Sequence, residues 1–310
     1  MADKKKKKMG LVKRGVLFFG VGFLALGTVG FGSMYFLSES KLGETFERKV
    51  AGIEIPEGDE DAEARGKYLV DSIMGCSHGD CHRPDLAGGA VMDAQPMGRI
   101  YAPNLTSGEG SVTKEYGPED WARILRHGLK KDGTRALIMP SEDYVNFSAE
   151  DIGAVVAYVK SLPPVNRESL GHSLGPVTRM LISSGELQFA YDKIDHDAKR
   201  LDAEPGPTKE WGEVLIGTCT GCHGKTLSGG KIPGGDPKWP AARNITPDES
   251  GIKGWTFEDF QKAIKTGTRP DGTTLDPVMP YKAYAHMEPD DVEALWQYLQ
   301  TVPAKPAGGR

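Results

Sequence analysis

Cysteine is scarce in this chain, with only four in 310 residues. All four stand in two short segments, 76–82 and 219–223, so no cysteine pair is left outside them for a disulfide. The net charge of −5 is unevenly spread, because the first 14 residues sum to +6 and the remaining residues together carry −11. An acidic remainder argues against nucleic acid as a partner and favours docking to a basic protein surface. Strand patterns are also rare, which predicts a mainly α-helical fold.

Long hydrophobic runs are absent except for one, the 23 uncharged residues 15–37. A membrane-spanning helix needs about 20 apolar residues, so 15–37 is predicted to be a transmembrane anchor that follows a cytoplasmic basic tail, 1–14. A cleaved leader is the alternative, although the run exceeds the apolar core of a leader and no small-x-small cleavage site follows it. Thr28 and Gly32 form a small-xxx-small pair suited to contact with another membrane subunit, and incidental glycines in a lone anchor are the equal alternative. The later residues are then expected on the periplasmic side of a bacterial inner membrane.

The two cysteine segments match the attachment sequence of a c-type haem. Cys219-Thr220-Gly221-Cys222-His223 is the pattern C-x-x-C-H, in which two thiols form thioethers to the haem and the histidine ligates its iron. A copy stretched by two residues runs from Cys76 to Cys81 and His82. Two covalently bound haem c groups are therefore predicted. A structural zinc site is the alternative, but zinc usually takes four ligands from two separated pairs.

An internal repeat supports the same conclusion. Asn104 and Met139 are 35 residues apart, as are Asn244 and Met279, and the residues around them also recur. Constant spacings of this kind indicate two similar domains, predicted at 58–165 and 206–305. Residues 166–205 between them are predicted to be an interdomain linker that contains one packed helix near Val177 to Ile182.

Helix start signals occur in both units. Pro118 is predicted to begin one helix, and Ser148 is expected to cap another that starts near Asp151. Thr256 and Asp259 form a capping-box pattern in the second unit.

Met139 and Met279 are the predicted axial ligands opposite His82 and His223. Each stands before proline at the same repeat position, and a thioether ligand raises the potential of haem iron. The rival ligands are His286 and Met287 for the second haem, and His78, Met92, Met97 and His127 for the first. In the linker, His172 and His196 are interpreted as solvated side chains, with iron ligation as the alternative.

Two arginines and two asparagines complete the predicted sites. Arg99 and Arg243 precede the Asn-x-Thr segments and are candidate partners for haem propionates, with a solvated surface position as the equal alternative. Asn104 and Asn244 are expected to organise the loop over each haem through side-chain hydrogen bonds.

Several segments, among them IYAPNLTSGEG, ARNITPDESGIKGWTFEDF and TGTRPDGTTLDPVMPY, resemble bacterial class I cytochrome c domains. Residues 62–305 are most similar to the membrane-bound cytochrome c subunits that serve periplasmic alcohol, aldehyde and gluconate dehydrogenases. The resemblance implies two tandem helical cytochrome c folds with His/Met iron. It assigns Cys76, Cys81, His82 and Met139 to one haem and Cys219, Cys222, His223 and Met279 to the other. The chain differs from that family in having two haem domains rather than three and a stretched first motif.

These features predict a membrane-anchored dihaem cytochrome that carries electrons from a periplasmic or membrane donor to a respiratory acceptor, and that is not itself an enzyme. The expected partners are a dehydrogenase, a quinol-oxidising complex, an oxidase or a soluble cytochrome. The sequence is compatible with two roles, a fixed subunit of a complex and a membrane-tethered shuttle between separate enzymes. A dihaem peroxidase is the alternative from another class, but it needs an iron with an open sixth position, and each repeat offers a methionine.

Overall fold

The computed structural model describes residues 30–78, 81–201, 203–236 and 238–310. The predicted basic tail 1–14 and residues 15–29 of the predicted anchor lie outside the described residues. Residues 30–43, which include the end of the uncharged run, are helical. Within the described part of the chain, no helix has both the length and the apolar character needed to cross a membrane.

The first unit is helical with a small sheet. Its elements are α1 (Glu60–Tyr68), a π-helical turn (Leu69–Ile73), β1 (Gly89–Ala94), β2 (Gly98–Ala102), α2 (Pro118–His127), a 3-10 turn (Ser141–Asp143) and α3 (Ala149–Ser161). β1 and β2 pair antiparallel as a hairpin. The mainly helical prediction is confirmed, and the hairpin is an addition that the sequence pattern did not indicate.

The segment predicted as a linker packs against the first unit. It contributes β3 (Ser173–Leu174), which extends the hairpin into a three-stranded sheet, followed by α4 (Pro176–Ser184) and α5 (Ala190–Lys193). Ile182 of α4 and Phe189 are buried with Ile100 and Leu137 of the first unit in a small apolar cluster. The predicted packed helix is confirmed, and residues 166–205 form an accessory layer on the first unit.

The second unit contains helices alone among its described elements. They are α6 (Lys209–Leu215), α7 (Gly217–His223), α8 (Phe257–Thr266), α9 (Tyr281–Tyr284) and α10 (Pro289–Leu299). The predicted caps are present, because Ser148 Oγ accepts from Asp151 N at 2.9 Å and Thr256 exchanges hydrogen bonds with Asp259 at 3.2 and 3.0 Å.

The same close helix crossing occurs in both units. A Cβ at Gly66 of α1 would lie 2.0 Å from the carbonyl oxygen of Ala154, and one at Gly212 of α6 would lie 2.1 Å from that of Ala294. No side chain fits in either place, so the first helix of each unit crosses its last helix backbone to backbone. This crossing brings the chain leading into each cysteine motif against the end of the same unit.

The two units share one hydrophobic core rather than two separate ones. Phe147 of the first unit meets Trp211 of the second edge to face, with ring centroids 5.9 Å apart. The Tyr68 hydroxyl donates to the Asp291 carboxylate across the same boundary and accepts from Glu288 N at 2.9 Å. The apolar side chains on both sides of the boundary are fully buried, so the relative position of the units is fixed by packing.

Candidate functional site

The clearest candidate site is a cavity in the second unit. It has a volume of about 470 Å³, within the usual range of small-molecule cofactor sites. Both cysteines of the C-x-x-C-H motif, His223 and Met279 line it. The remaining wall is largely apolar and includes Ile252, Trp255, Phe260, Ile264 and Leu299. The cavity therefore combines thiols, an imidazole and a thioether in one apolar space.

The His223 side chain is held as a neutral imidazole. Its Nδ1 lies 2.7 Å from the carbonyl oxygen of Arg243, and burial lowers the pKa of the ring. A neutral imidazole that donates from Nδ1 keeps the lone pair of Nε2 for a metal. The geometry therefore leaves Nε2 as the nitrogen available to a metal.

His82 in the first unit has the same arrangement. Its Nδ1 lies 2.9 Å from the carbonyl oxygen of Pro103, and burial again lowers the pKa of the ring. Pro103 immediately precedes Asn104, as Arg243 precedes Asn244. The stretched motif thus ends in a histidine that is oriented like its counterpart.

The turn after each histidine also repeats. Gly88 N donates to His82 O at 3.0 Å, and Gly229 N donates to His223 O at 2.9 Å. Leu86 and Leu227 both adopt a positive φ, of 49° and 60°, which leucine rarely does. The insertion therefore changes the residues before His82 and leaves the turn after it intact.

Before the histidines the two motifs differ. The second lies in helix α7, whereas the first is not helical over its described residues. His78 belongs to the inserted stretch of the attachment loop. Its Nε2 lies 3.0 Å from the carbonyl oxygen of Asp71, in the π-helical turn before the motif.

Asn104 and Asn244 organise their loops as predicted. Asn244 Oδ1 accepts from Thr246 N at 2.9 Å and from Thr246 Oγ1 at 2.8 Å, and Asn104 makes the same two bonds to Thr106 at the same distances. Each amide also donates to the chain after its last helix, at Lys305 O and Val165 O, both at 2.7 Å. These buried bonds connect the loop over the histidine to the end of the unit.

The rival ligands have other surroundings. Met287 is buried in the shared core at the position equivalent to Phe147, and His286 is exposed, whereas Met279 lines the cavity. Met92 lies in β1 against the small apolar cluster, and Thr178 Oγ1 donates to the carbonyl oxygen of Met97 at 2.8 Å. Met139 packs at the edge of the main core beside the 3-10 turn, as a half-buried side chain.

Two histidines form a contact that the sequence did not indicate. His127 Nδ1 lies 2.9 Å from His196 Nδ1, and His196 Nε2 lies 3.0 Å from Tyr191 O. The interpretation of His196 as a solvated linker side chain is corrected here, because His196 fastens the accessory layer to α2. His172 Nδ1 accepts from Tyr101 N at 3.3 Å beside β2.

Arg99 and Arg243 occupy different positions relative to their histidines. Arg243 lines the cavity, and its carbonyl oxygen accepts the bond from His223. Arg99 lies on β2, where its Nε is 3.1 Å from Asp93 Oδ1 and both side chains are more than half exposed. The structural counterpart of Arg243 is Pro103, and contact of either arginine with a propionate stays a prediction.

A zinc centre gains no support from the surroundings of the cysteines. Burial raises the pKa of both the Cys219 and the Cys76 thiol to about 12 in the metal-free protein. Within the described ranges no group of three or more His, Cys, Asp or Glu side chains could hold a metal ion, and none of the four cysteines forms a disulfide.

The family model of cytochrome c matches residues 210–303. Residues 210–303 are a cytochrome c domain. Its covalent haem c fits the cavity, because Cys219 and Cys222 can form the thioethers and His223 offers Nε2. The predicted resemblance to cytochrome c domains is confirmed for these residues.

Similar proteins cover most of the chain. The cytochrome c subunit of alcohol dehydrogenase (quinone) from Gluconobacter oxydans is 26% identical over 285 residues, covering 81% of this chain and 57% of that protein. The fructose dehydrogenase cytochrome subunit of Gluconobacter japonicus is 26% identical over 270 residues, covering 80% of this chain and 54% of that protein. Stretches of that extent include both cysteine motifs wherever they begin. This chain spans little more than half the length of these two relatives.

A third relative matches a shorter stretch of the chain. The "Diheme cytochrome c-type" protein of Cereibacter sphaeroides is 38% identical over 97 residues, covering 28% of this chain and 33% of that protein. These relatives are named as cytochromes or as cytochrome subunits of dehydrogenases, so the peroxidase alternative gains no support from them.

Proposed function

We propose that this chain is a membrane-anchored dihaem cytochrome c that carries electrons from a dehydrogenase to a respiratory acceptor. In this proposal each cysteine motif binds one haem c, with His82 and Met139 as axial ligands in the first unit and His223 and Met279 in the second.

The observation that carries the proposal is the matching environment of the two histidines. His82 and His223 each bond through Nδ1 to the carbonyl oxygen that precedes an Asn-x-Thr segment, and each is followed by a leucine with positive φ. Such agreement at a strained, buried position supports a common cofactor in both units, despite the insertion in the first motif.

The protein residues have separable roles. The bound haem supplies a reversible one-electron change at its iron. Cys219 and Cys222 fix the ring in place, His223 provides a neutral nitrogen, and Met279 provides a soft sulfur that favours the reduced state. Ile252, Trp255 and Phe260 exclude water from the ring, which also raises the potential.

The anchor and the partners belong to the same proposal. Residues 15–37 are long enough to span a bilayer, and the basic residues before them favour a cytoplasmic start, so both haem units would face the periplasm. The relatives named as dehydrogenase subunits make a dehydrogenase the favoured electron donor. The acidic surface after residue 14 suits a basic docking face on that partner.

The test is the haem content of three proteins purified from the same host. A pyridine haemochrome assay should give two haems for the parent chain and one for each double variant, Cys76→Ala/Cys81→Ala and Cys219→Ala/Cys222→Ala. A parent chain with one haem, unchanged in the Cys76→Ala/Cys81→Ala variant, would remove the first haem from the proposal.

A further inference from the structure

The helix that continues the uncharged run is fastened to the accessory layer by one guanidinium. Arg179 of α4 forms an ion pair with Glu39 at 2.6 Å and donates to Ser38 Oγ at 2.9 Å. The same group lies 4.0 Å from the centroid of the Tyr35 ring, within cation–π range. Since the Arg179 side chain is only 13% exposed, these contacts are partly shielded from solvent.

A second cation joins the same two helices further along. Lys41 Nζ donates to the carbonyl oxygens of Ile182 and Ser183 at 3.0 and 3.2 Å, at the C-terminal end of α4. A lysine there also complements the negative end of the helix dipole. The helix 30–43 and α4 therefore lie side by side over several residues.

A third cation links this pair to the first haem unit. Arg135 donates to Lys41 O at 2.6 Å and forms ion pairs with Glu44 and Asp192, each at 2.9 Å. The guanidinium is almost completely buried and lies over the rings of Phe46 and Phe189. Helix 30–43, α4 and the first unit are thus connected by three separate cationic side chains.

The surface next to these contacts is apolar and exposed. Phe31, Tyr35, Phe36 and Leu37 of the helix are between 47% and 73% exposed, and Met180, adjacent to Arg179 on α4, is 50% exposed. The four residues of the helix belong to the uncharged run 15–37, whose earlier part lies outside the described residues. Tyr35 is two residues, or about 3 Å along the helix axis, before the end of that run, and Ser38 and Glu39 follow the end directly, so the contacts of Arg179 fall on both sides of it.

We propose that α4 rests on the surface of a phospholipid bilayer, with Met180 in contact with lipid, because the Arg179 contacts hold α4 at the end of the membrane-inserted run. This inference rests on the proposed membrane anchor. It adds that the first haem unit is held against the membrane in a fixed orientation and does not swing on a flexible tether. Tyrosine and arginine at the end of a membrane helix match the interfacial position that both side chains favour.

The experiment places a spin label on single introduced cysteines. With the native cysteines in thioethers, Met180→Cys provides the only free thiol, and the parent chain serves as a labelling blank. The full haem-loaded protein is reconstituted in nanodiscs of phosphatidylethanolamine and phosphatidylglycerol. The accessibility of the label to oxygen, which enters lipid, is then compared with its accessibility to a water-soluble nickel chelate. Trp239→Cys in the second unit, also about half exposed, is the matched control.

The expected result is a label at 180 that favours oxygen and a label at 239 that favours the chelate. Adding Arg179→Gln should shift the label at 180 towards the chelate while the protein stays in the nanodisc. A chain that elutes apart from the nanodiscs overturns the anchor and this inference together. If the chain stays in the nanodisc but the labels at 180 and 239 are equally accessible to the chelate, only this inference is overturned. A label at 180 that neither oxygen nor the chelate reaches also overturns only this inference, because a protein would then cover that position.

Discussion

The indole nitrogen of Trp211 donates to the carboxylate of Asp291 at 2.5 Å inside the second unit. In the first unit the equivalent pair is Arg65 and Asp151, whose Nε and Oδ1 lie 2.9 Å apart. The two carboxylates occupy the same repeat position, but Asp151 is paired with a cation whereas Asp291 accepts from neutral donors. Asp291 receives its second bond from Tyr68 of the first unit, so the neutral version also joins the units.

Trp211→Phe should therefore destabilise the whole protein. The substitution removes the indole donor and leaves the buried Asp291 carboxylate with one partner fewer, which costs roughly 1–3 kcal/mol. Urea unfolding of the haem-loaded protein, followed by circular dichroism, measures the loss. Trp296→Phe is the control, because that half-buried indole packs against Phe260 outside the boundary. Equal losses in the two variants would contradict a special role for the Asp291 contact.

Replacing Met279 or Met287 by leucine distinguishes the methionine that binds the iron from the one that only packs in the core. Met279→Leu should lower the reduction potential of the second haem, because leucine lacks the thioether sulfur that favours ferrous iron. Met287→Leu should leave that potential unchanged and cost less than about 1.5 kcal/mol, because it conserves volume in the core. Redox titration with optical spectra checks both variants. A potential that falls with Met287→Leu and not with Met279→Leu would reverse the assignment.

Asp143 makes the stability of the domain boundary depend on pH between the ordinary pKa of an aspartate and about 8. Burial beside α7, with a smaller contribution from Glu142, raises the pKa of its carboxyl to about 8 against the opposing effects of Lys193 and Thr220. A raised folded-state pKa means that ionisation opposes folding. Stability is greatest below the ordinary pKa of an aspartate and falls as pH rises towards and through 8. Thermal unfolding of the parent and of Asp143→Asn between pH 5 and pH 9 should show a decline in the parent that the variant lacks.

His127 produces a dependence of the opposite sign. Burial and the nearby His196, Arg200, Arg48 and Arg126 together lower its pKa to about 4, with burial as the largest cause. The contribution of this neutral ring is complete above pH 6.5 and is lost as pH falls towards 4. We expect faster proteolysis of residues 194–205 at pH 5 than at pH 7.5, and a smaller difference in His127→Gln. A parent chain cleaved equally fast at both pH values would contradict this prediction.

Much of the fold could be predicted because its signals are local or repeated. The caps at Ser148 and Thr256 depend on residues three positions apart, and the Asn-x-Thr loops repeat at constant spacing. The second site was predictable for the same reason, since Cys219, Cys222 and His223 are adjacent in sequence and the repeat indicated Met279.

The remaining features depend on contacts between distant residues. His127 and His196 are 69 positions apart, and neither stands in a pattern that points to the other. The hairpin of β1 and β2 contains glycine, proline and charged residues, so its strands lack a clear alternation of apolar and polar side chains. Arg99 and Arg243 both precede an Asn-x-Thr segment, but Pro103 is the residue that immediately precedes Asn104, as Arg243 precedes Asn244. The sequence already contains that offset, and the structure adds its consequence, because the carbonyl oxygens of Pro103 and Arg243 are the ones that bond to His82 and His223.

The shared core has a consequence for how the molecule can be divided. A cut near residue 206 follows the repeat boundary, but it would expose Phe147 on one half and Trp211 on the other, both of which are completely buried. It would also deprive Asp291 of Tyr68. Each half would then present apolar surface that the intact chain buries. The repeat is a unit of sequence, whereas the hydrophobic core is completed only by the pair.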